Sequence, residues 1–300
     1  AEIHKEVPDI ELEAFVHGAL CVSFSGRCNM SQYLSGRSAN RGECMQACRL
    51  PFDLEDKNGR VIQKYKYLLS TKDLNMSGHI VELIGAGVTS FKIEGRLKDT
   101  AYAGNVTSTY SKELDGIAAG SNGKYARASS GKTEIGYDPD LNKSFNRGFT
   151  KYFYFGRKDT VISATGQKSP GEFIGKVKEI NRDHFTLYGP HDLKNGDGIC
   201  WAGGGELEGV NINSVDGEKI FPFRKFPHST GIDIYRNENP AFERSMINSA
   251  DRKIGMEVEA SRNGMDFVIK ATDEDGNGTE LIFPFNAETA KDGGVSEANW

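Results

Sequence analysis

Apolar and polar residues alternate in short runs along most of the chain, and the rhythm of these runs changes three times. In the first part, strand-like runs at residues 10–16, 65–70 and 88–93 are interleaved with helical patterns at 80–84 and 98–114. Strands that alternate with helices are typical of parallel βα units. This part therefore predicts an α/β region resembling part of a TIM barrel, with too few units to close one.

Further along, the pattern becomes β-rich. The runs FIGKVKEI, HFTLYG, DGICWA, GVNINSV, KIFPF and IDIYR are separated by turn residues and predict a small antiparallel β-barrel. NG and DGNG turns near the end predict hairpins of a further β domain. The small, polar stretch 116–136 lacks periodicity and is typical of a linker. We therefore divide the chain into an α/β region (1–118), a linker (119–147), a β-barrel (148–248) and the start of a further β domain (249–300).

Composition and charge narrow the classes of function. The chain has 300 residues, with 37 Lys and Arg against 42 Asp and Glu, giving a net charge of −5. This balance excludes a protein that coats nucleic acid by bulk attraction, but a local basic site remains open because charge acts over about 8 Å in the cell. The charged first residues do not form a signal peptide, and no apolar run is long enough to span a bilayer. We expect a cytoplasmic protein that is not bound to a membrane.

Four of the five cysteines lie within residues 13–49, with the spacing C-x6-C-x15-C-x3-C. Such a cluster predicts a zinc ion or an iron–sulfur cluster, with inert buried thiols as the alternative. Structural zinc sites bring cysteines in close pairs, whereas the wider spacing here favours a larger cofactor. The predicted ligands are Cys21, Cys28, Cys44 and Cys48.

Arginines stand beside these cysteines. We predict that Arg37 and Arg41 either compensate the charge of an anionic cluster or bind a carboxylate or phosphate group of the substrate. Arginine is also an ordinary residue of solvated loops, and we interpret Arg49 in that way.

Two charged pairs mark strand ends, where barrel active sites are built. Glu13 and His17 are four residues apart, which puts both on one face of a regular strand. We regard them as candidate catalytic residues; the alternative is an inward polar pair satisfied by hydrogen bonds.

The second candidate group lies at the end of the run VTSFKI and just beyond it. Lys92 and Glu94 are candidate catalytic residues by the same period of two, although they equally suit a simple ion pair. Arg96 and Tyr102 are candidates for binding an anionic substrate.

The segments that carry these residues resemble a known family. ELEAFVHGALCVSFSGRCNMS, SGRSANRGECMQACR, FKIEGRLKDTAY and FNRGFT are similar to signatures of the collagenase-like peptidase family U32. The likeness is most specific over about residues 11–110. The segment from DRKIGMEVEA onward resembles the extra C-terminal domain of the long members.

The resemblance implies a chemistry other than proteolysis. Members of the family hydroxylate a transfer-RNA wobble uridine or a ribosomal-RNA cytidine, and others support oxygen-independent ubiquinone hydroxylation. They bind a [4Fe-4S] cluster through cysteines, and the RNA-modifying members draw on prephenate. The long form is most similar to the ribosomal-RNA branch. Carried over, the resemblance implies that the four clustered cysteines are the cluster ligands. It also implies a preceding N-terminal half-barrel, without which we expect this chain to be inactive.

Three hypotheses arise from these features. The first is an iron–sulfur enzyme that hydroxylates an RNA base, with the small β domain positioning the RNA and Tyr152, Phe153 and Tyr154 as stacking candidates. The second is a peptidase, although no G-x-S-x-G or H-E-x-x-H motif is present. The third is a zinc-stabilised scaffold that binds a partner.

Overall fold

The chain folds into two compact units in a computed structural model, which describes residues 1–158, 160–163, 166–203, 206–224 and 229–284. Residues 1–125 and 136–249 form the first unit, and residues 126–135 and 250–300 form the second. The predicted α/β and β-barrel regions both fall in the first unit. The end of the predicted domain 249–300 lies outside the described residues from 285 onward.

In chain order the helices are α1 (Glu2–Glu6), α2 (Met30–Ser35), α3 (Ile80–Gly85), α4 (Thr100–Gly120) and α5 (Pro240–Met246). Short 3₁₀ turns occur at Ala39–Arg41, Ala47–Arg49 and Leu141–Lys143. The strands are β1 (Leu12–Ala19), β2 (Phe52–Glu55), β3 (Val61–Lys66), β4 (Asp73–Asn75), β5 (Val88–Ile93), β6 (Lys132–Ile135), β7 (Phe149–Thr150), β8 (Glu172–Ile180), β9 (Phe185–Leu187), β10 (Gly198–Gly203), β11 (Glu206–Asp216), β12 (Lys219–Pro222), β13 (Asp233–Glu238), β14 (Ala250–Lys253), β15 (Met256–Asn263), β16 (Asp266–Asp273) and β17 (Gly278–Pro284).

A four-stranded mixed sheet, in the order β5-β1-β4-β7, occupies the first part of the first unit. The prediction of a mixed α/β region is confirmed, but the TIM-barrel-like arrangement is not. β1 is parallel to β5 and antiparallel to β4. The chain reaches β4 from β1 through the cysteine segment and the β2–β3 hairpin. It therefore lacks the helical crossover that would return it parallel to β1.

Helix α4 covers this sheet and completes its core. Asp99 caps the helix by accepting a hydrogen bond from the Tyr102 amide at 2.7 Å. Val16, Ile80 and Val106 are at most 1% exposed and pack with the buried ring of Tyr110. None of the helices in the described residues is long and apolar enough to cross a membrane.

The predicted small antiparallel barrel is confirmed. Its strands close in the order β10-β11-β12-β9-β8-β13. Ile199, Ile212, Ile220 and Ile234 are fully buried in its core with Phe185. The barrel begins at β8, whereas β7 belongs to the mixed sheet, so the predicted boundary at residue 148 does not separate the two.

The second unit contains the predicted hairpins. β15, β16 and β17 form an antiparallel meander, and β6 pairs with β14 in a separate ribbon. β6 lies within the predicted linker 119–147, which also includes the 3₁₀ turn at Leu141–Lys143.

Candidate functional site

The predicted metal ligands lie in one long loop, residues 20–49, that starts where β1 ends; we call it the cysteine loop. Its path turns at Gly36 and Gly42, which adopt left-handed conformations with φ of 73° and 88°. The four thiols on this loop are free and lie at or near the surface. Cys21 and Cys44 are exposed, and Cys28 and Cys48 are half-buried.

Cys48 lies within electrostatic range of the other three thiols. Burial raises the pKa of Cys48, the charge of Arg49 acts in the opposite direction, and Cys21, Cys44 and Cys28 each raise that pKa further. Among the described residues, however, no three His, Cys, Asp or Glu side chains are close enough to hold one metal ion. Four thiolates on one zinc would lie about 3.8 Å apart, because each Zn–S bond is about 2.3 Å long. Three of the thiols thus lie near enough to act on Cys48, but the four do not meet at a single point.

Arg49 anchors the end of the cysteine loop to the sheet, and its interpretation as a solvated residue is wrong. The side chain is 3% exposed. Its Nη1 donates to Ser70 Oγ at 3.1 Å and to the Thr71 carbonyl, and Nη2 donates to the Leu20 carbonyl at 2.9 Å. These acceptors are neutral, so the guanidinium charge is not cancelled by its own hydrogen bonds.

Further cations lie beside Arg49. Arg147 is 6% exposed and donates from Nη1 to Asp73 Oδ1 at 2.9 Å, while its buried Nε has no partner. Half-buried Lys98 sits over the Phe145 ring. Burial, and next the charge of Arg147, lower the pKa of Lys98 to about 8. Three cations around one buried carboxylate leave an excess of positive charge next to the thiols, which fits an anionic group held there.

His17 lies in an aromatic environment at the end of β1. It is 1% exposed, its ring lies 5.6–6.2 Å from those of Tyr102, Tyr110 and Phe149, and Nδ1 is 3.3 Å from the Tyr110 hydroxyl. Burial lowers the pKa of His17 to about 4, so the ring is neutral at pH 7.

The structure does not bring Glu13 to His17. Glu13 is exposed and accepts a hydrogen bond from Ser90 Oγ at 2.9 Å. The pairing of β1 with β5 shifts register between Phe15 and His17. This irregularity breaks the alternation from which a shared face was predicted.

The group at the end of β5 does come together, and it reaches the cysteine loop. The Arg96 amide donates to Glu94 Oε1 at 2.9 Å, and the buried Tyr102 hydroxyl donates to the Glu94 carbonyl at 3.1 Å. Arg96 Nη1 donates to the Gly42 carbonyl at 3.2 Å. A Cβ on Gly18 would overlap the Glu94 carbonyl oxygen, so the close approach of β1 and β5 requires glycine there.

The remaining candidates stay at the surface. Lys92, Arg37 and Arg41 are exposed. Exposure leaves their charges available to a ligand.

Sequence reasoning missed Asp73, Lys98 and Arg147. Asp73 and Arg147 are 74 positions apart and meet through the parallel pairing of β4 with β7. Two segments carried a signal, both through the family resemblance: FNRGFT contains Arg147, and FKIEGRLKDTAY contains Lys98.

Comparison with known proteins adds the family. Residues 1–163 match peptidase family U32. The chain is 37% identical to a 23S rRNA 5-hydroxycytidine synthase of Escherichia coli, over 90% of this chain and 43% of that protein. It is 31% identical to a tRNA hydroxylation protein of Bacillus subtilis, over 66% of this chain and 48% of that protein. It is 37% identical to a collagenase of Porphyromonas gingivalis, over 58% of this chain and 47% of that protein.

The chain thus spans about half, or less, of the length of these curated relatives. No solved structure matches it. The profile match covers more than half of the chain and includes the whole cysteine loop and the group at the end of β5. The chain belongs to peptidase family U32.

Proposed function

We propose that this chain is part of an enzyme that hydroxylates a base in RNA and holds a [4Fe-4S] cluster through Cys21, Cys28, Cys44 and Cys48. The observation that carries the proposal is the excess of buried positive charge beside Cys48, whose pKa the other three thiols of the loop raise. Similarity to RNA hydroxylation proteins supports the reaction class.

The charge balance of the site suits an anionic group held by four thiolates, and the wide spacing of the cysteines is what favours a cluster over zinc. A cubane cluster with four thiolates is anionic, and nearby cations stabilise it and raise its reduction potential. Arg49 and Arg147 are buried, and the hydrogen bonds that Arg49 donates go to neutral acceptors. When bound, such a cluster supplies one-electron chemistry.

The protein side chains have separate roles in this proposal. Exposed Arg37 and Arg41 bind the phosphates of the RNA or the carboxylates of prephenate, since a guanidinium group matches either in two parallel hydrogen bonds. Arg96 can contribute only part of its guanidinium group to the substrate, because its Nη1 already donates to the Gly42 carbonyl. Glu94 is the candidate proton acceptor at the cysteine loop. Neutral, buried His17 positions Tyr110 and the end of β1.

A peptidase is the second candidate, favoured by the similarity to the collagenase. A hydrolytic nucleophile needs an adjacent base. The buried imidazole of His17 instead contacts the hydroxyl of Tyr110, which burial keeps protonated by raising its pKa. We therefore rank hydrolysis below hydroxylation.

We also propose a reducing compartment such as the cytoplasm. All five cysteines are free, and a cluster needs reduced thiols.

The proposal can be tested by analysing the RNA of cells that lack the encoding gene. Nucleoside mass spectrometry is expected to lose a hydroxylated cytidine or uridine, wild-type protein to restore it, and Cys44→Ala protein not to do so. Unchanged RNA, together with cleavage of a peptide library by the purified protein, would reject hydroxylation in favour of the peptidase.

A further inference from the structure

Residues 151–158, with the sequence KYFYFGRK, form an exposed aromatic and basic turn directly after β7; we call it the aromatic turn. Phe153, Tyr154 and Phe155 are 40%, 42% and 63% exposed. Large aromatic side chains grouped in this way at a surface mark a contact site for another molecule. The turn belongs to the mixed sheet rather than to the barrel, where the stacking candidates were predicted.

The turn is held in place by its first aromatic residue. Tyr152 has a φ of 52°, which costs a non-glycine residue energy. Its amide donates to Thr150 Oγ1 at 2.9 Å, and its ring packs against the core of the mixed sheet. Tyr152 is thus held both through its backbone amide and through its ring. It fixes the exposed rings that follow it before any ligand binds.

The exposed rings support one another. The ring centroids of Tyr152 and Phe153 are 4.0 Å apart, and those of Tyr154 and Phe155 are 4.8 Å apart in an edge-on arrangement. His79, which also contacts Glu82, packs 4.9 Å from Phe155. With 63% of its surface exposed, Phe155 can still stack against a ligand.

Cations surround these rings. Lys151 lies 5.3 Å from the Phe155 ring centroid, and Arg157 lies 5.2 Å from that of Phe153. Lys151, Phe155 and Lys158 line a surface depression of about 270 Å³. Positive charge concentrated here contrasts with the net charge of −5 of the chain and attracts a polyanion locally.

We propose that the aromatic turn binds single-stranded RNA, with bases stacked on Phe155 and Phe153 and phosphates paired with Lys151, Arg157 and Lys158. We assign RNA as the ligand because this inference rests on the proposed function, the hydroxylation of an RNA base. Surfaces for single strands combine aromatic rings with a basic track, and stacking tolerates any sequence because every base has a π face. The turn thus holds a strand on the same compact unit as the cysteine loop.

The experiment measures binding of a fluorescent single-stranded RNA of about 12 nucleotides, within the usual range of site sizes, by anisotropy. Phe155→Ala is expected to weaken binding about tenfold, which corresponds to the loss of one base stack. The matched control is Phe223→Ala, since Phe223 is 67% exposed and lies next to barrel strand β12. It is expected to bind RNA as wild type does.

Salt dependence separates the two kinds of contact. Arg157→Gln is expected to lower the slope of log affinity against log salt by about 0.7, because one phosphate contact is lost from a single strand. Phe155→Ala is expected to leave that slope unchanged.

Loss of binding in Phe223→Ala with no loss in Phe155→Ala would overturn the inference and assign the RNA to the barrel. Absence of RNA binding, with self-association that Phe155→Ala abolishes, would instead make the turn a protein contact. Iron content is measured on the same samples. Failure of the proposed cofactor would appear there without changing RNA binding, so the two proposals fail separately.

Discussion

The barrel and the cysteine loop are stabilised in opposite ways. The barrel closes around fully buried isoleucines, and Cys200 within it is 2% exposed. Burial raises the pKa of Cys200 to about 12, and its thiol donates to the Pro170 carbonyl at 3.4 Å. The loop cysteines are exposed or half-buried, and the loop is fixed by a buried cation, Arg49. One region excludes its thiol from chemistry, and the other presents its thiols for it.

The buried arginines of the two regions differ in the same sense. Arg236 in the barrel pairs with Glu172 at 2.5 Å, with Asp192 at 3.1 Å and with Asp197 at 3.2 Å. Arg49 donates to neutral oxygens. The barrel neutralises its cation internally, whereas the loop leaves its cation for an anion to balance.

The largest expected effect comes from replacing the thiols, which differ between the two regions in their exposure. Replacing any one of Cys21, Cys28, Cys44 or Cys48 by alanine is expected to abolish cofactor binding, because a [4Fe-4S] cluster is held by four cysteine thiolates. Cys200→Ala is the matched control and should retain all of its iron. Iron analysis after anaerobic purification measures both, and equal iron in all five variants would refute the ligand assignment.

The next largest expected effect is on the stability of the barrel. Arg236→Ala is expected to lower the free energy of unfolding by about 3–5 kcal/mol, because it leaves the buried carboxylate of Asp197 without its partner. Lys176→Ala breaks the exposed pair with Asp233 and should cost at most about 1 kcal/mol. Urea denaturation followed by tryptophan fluorescence reports the barrel through Trp201, once Trp300 is replaced by Phe in all variants. Equal losses in the two variants would show that the buried pairs of Arg236 stabilise the barrel no more than an exposed pair does.

A smaller effect distinguishes the regions by pH. The folded pKa of His17 lies near 4 and its ordinary value near 6.5, so the unfolded chain takes up a proton first. The contribution of neutral His17 to the free energy of unfolding is therefore fully present above about pH 6.5. It falls by about 3 kcal/mol as the pH drops to about 4. Hydrogen exchange in β1 measures this change. His17→Phe should remove the dependence, whereas His184→Gln should retain it.

The smallest effect concerns the loop alone. Arg96→Gln removes the donor to the Gly42 carbonyl and should cost less than about 1 kcal/mol of stability, because this hydrogen bond is exposed. Protease sensitivity around Gly42 is nevertheless expected to rise. Unchanged proteolysis would mean that this contact does not restrain the loop.

The parts of the fold that local pattern determines were predictable. VTSFKI, between Gly87 and Glu94, is β5 without change of bounds, and each of the six runs assigned to the barrel forms one of its strands. The alternation of apolar residues and the turn residues between runs are local properties of the sequence. Strand β6, which lies within the predicted linker, could not be predicted, for the opposite reason. β6 has no distinctive pattern and exists through its pairing with β14 far along the chain.

The site divides in the same way. The spacing of the cysteines identified the loop, but the pairing of Asp73 with Arg147 and the shifted register of β1 depend on strands distant in sequence. The predicted strand 65–70 instead straddles the end of β3, where Tyr65 takes a φ of 51° at a register shift in the pairing of β2 with β3. No local signal reports such an irregularity at a tyrosine.

The proposed function depends on an iron–sulfur cluster held by the cysteine loop. Its most direct test is to measure iron and acid-labile sulfide per chain after anaerobic reconstitution of the wild-type protein. We expect a brown protein with about four irons and four sulfides per chain, as a [4Fe-4S] cluster requires. A colourless protein with one zinc per chain and no sulfide would contradict it.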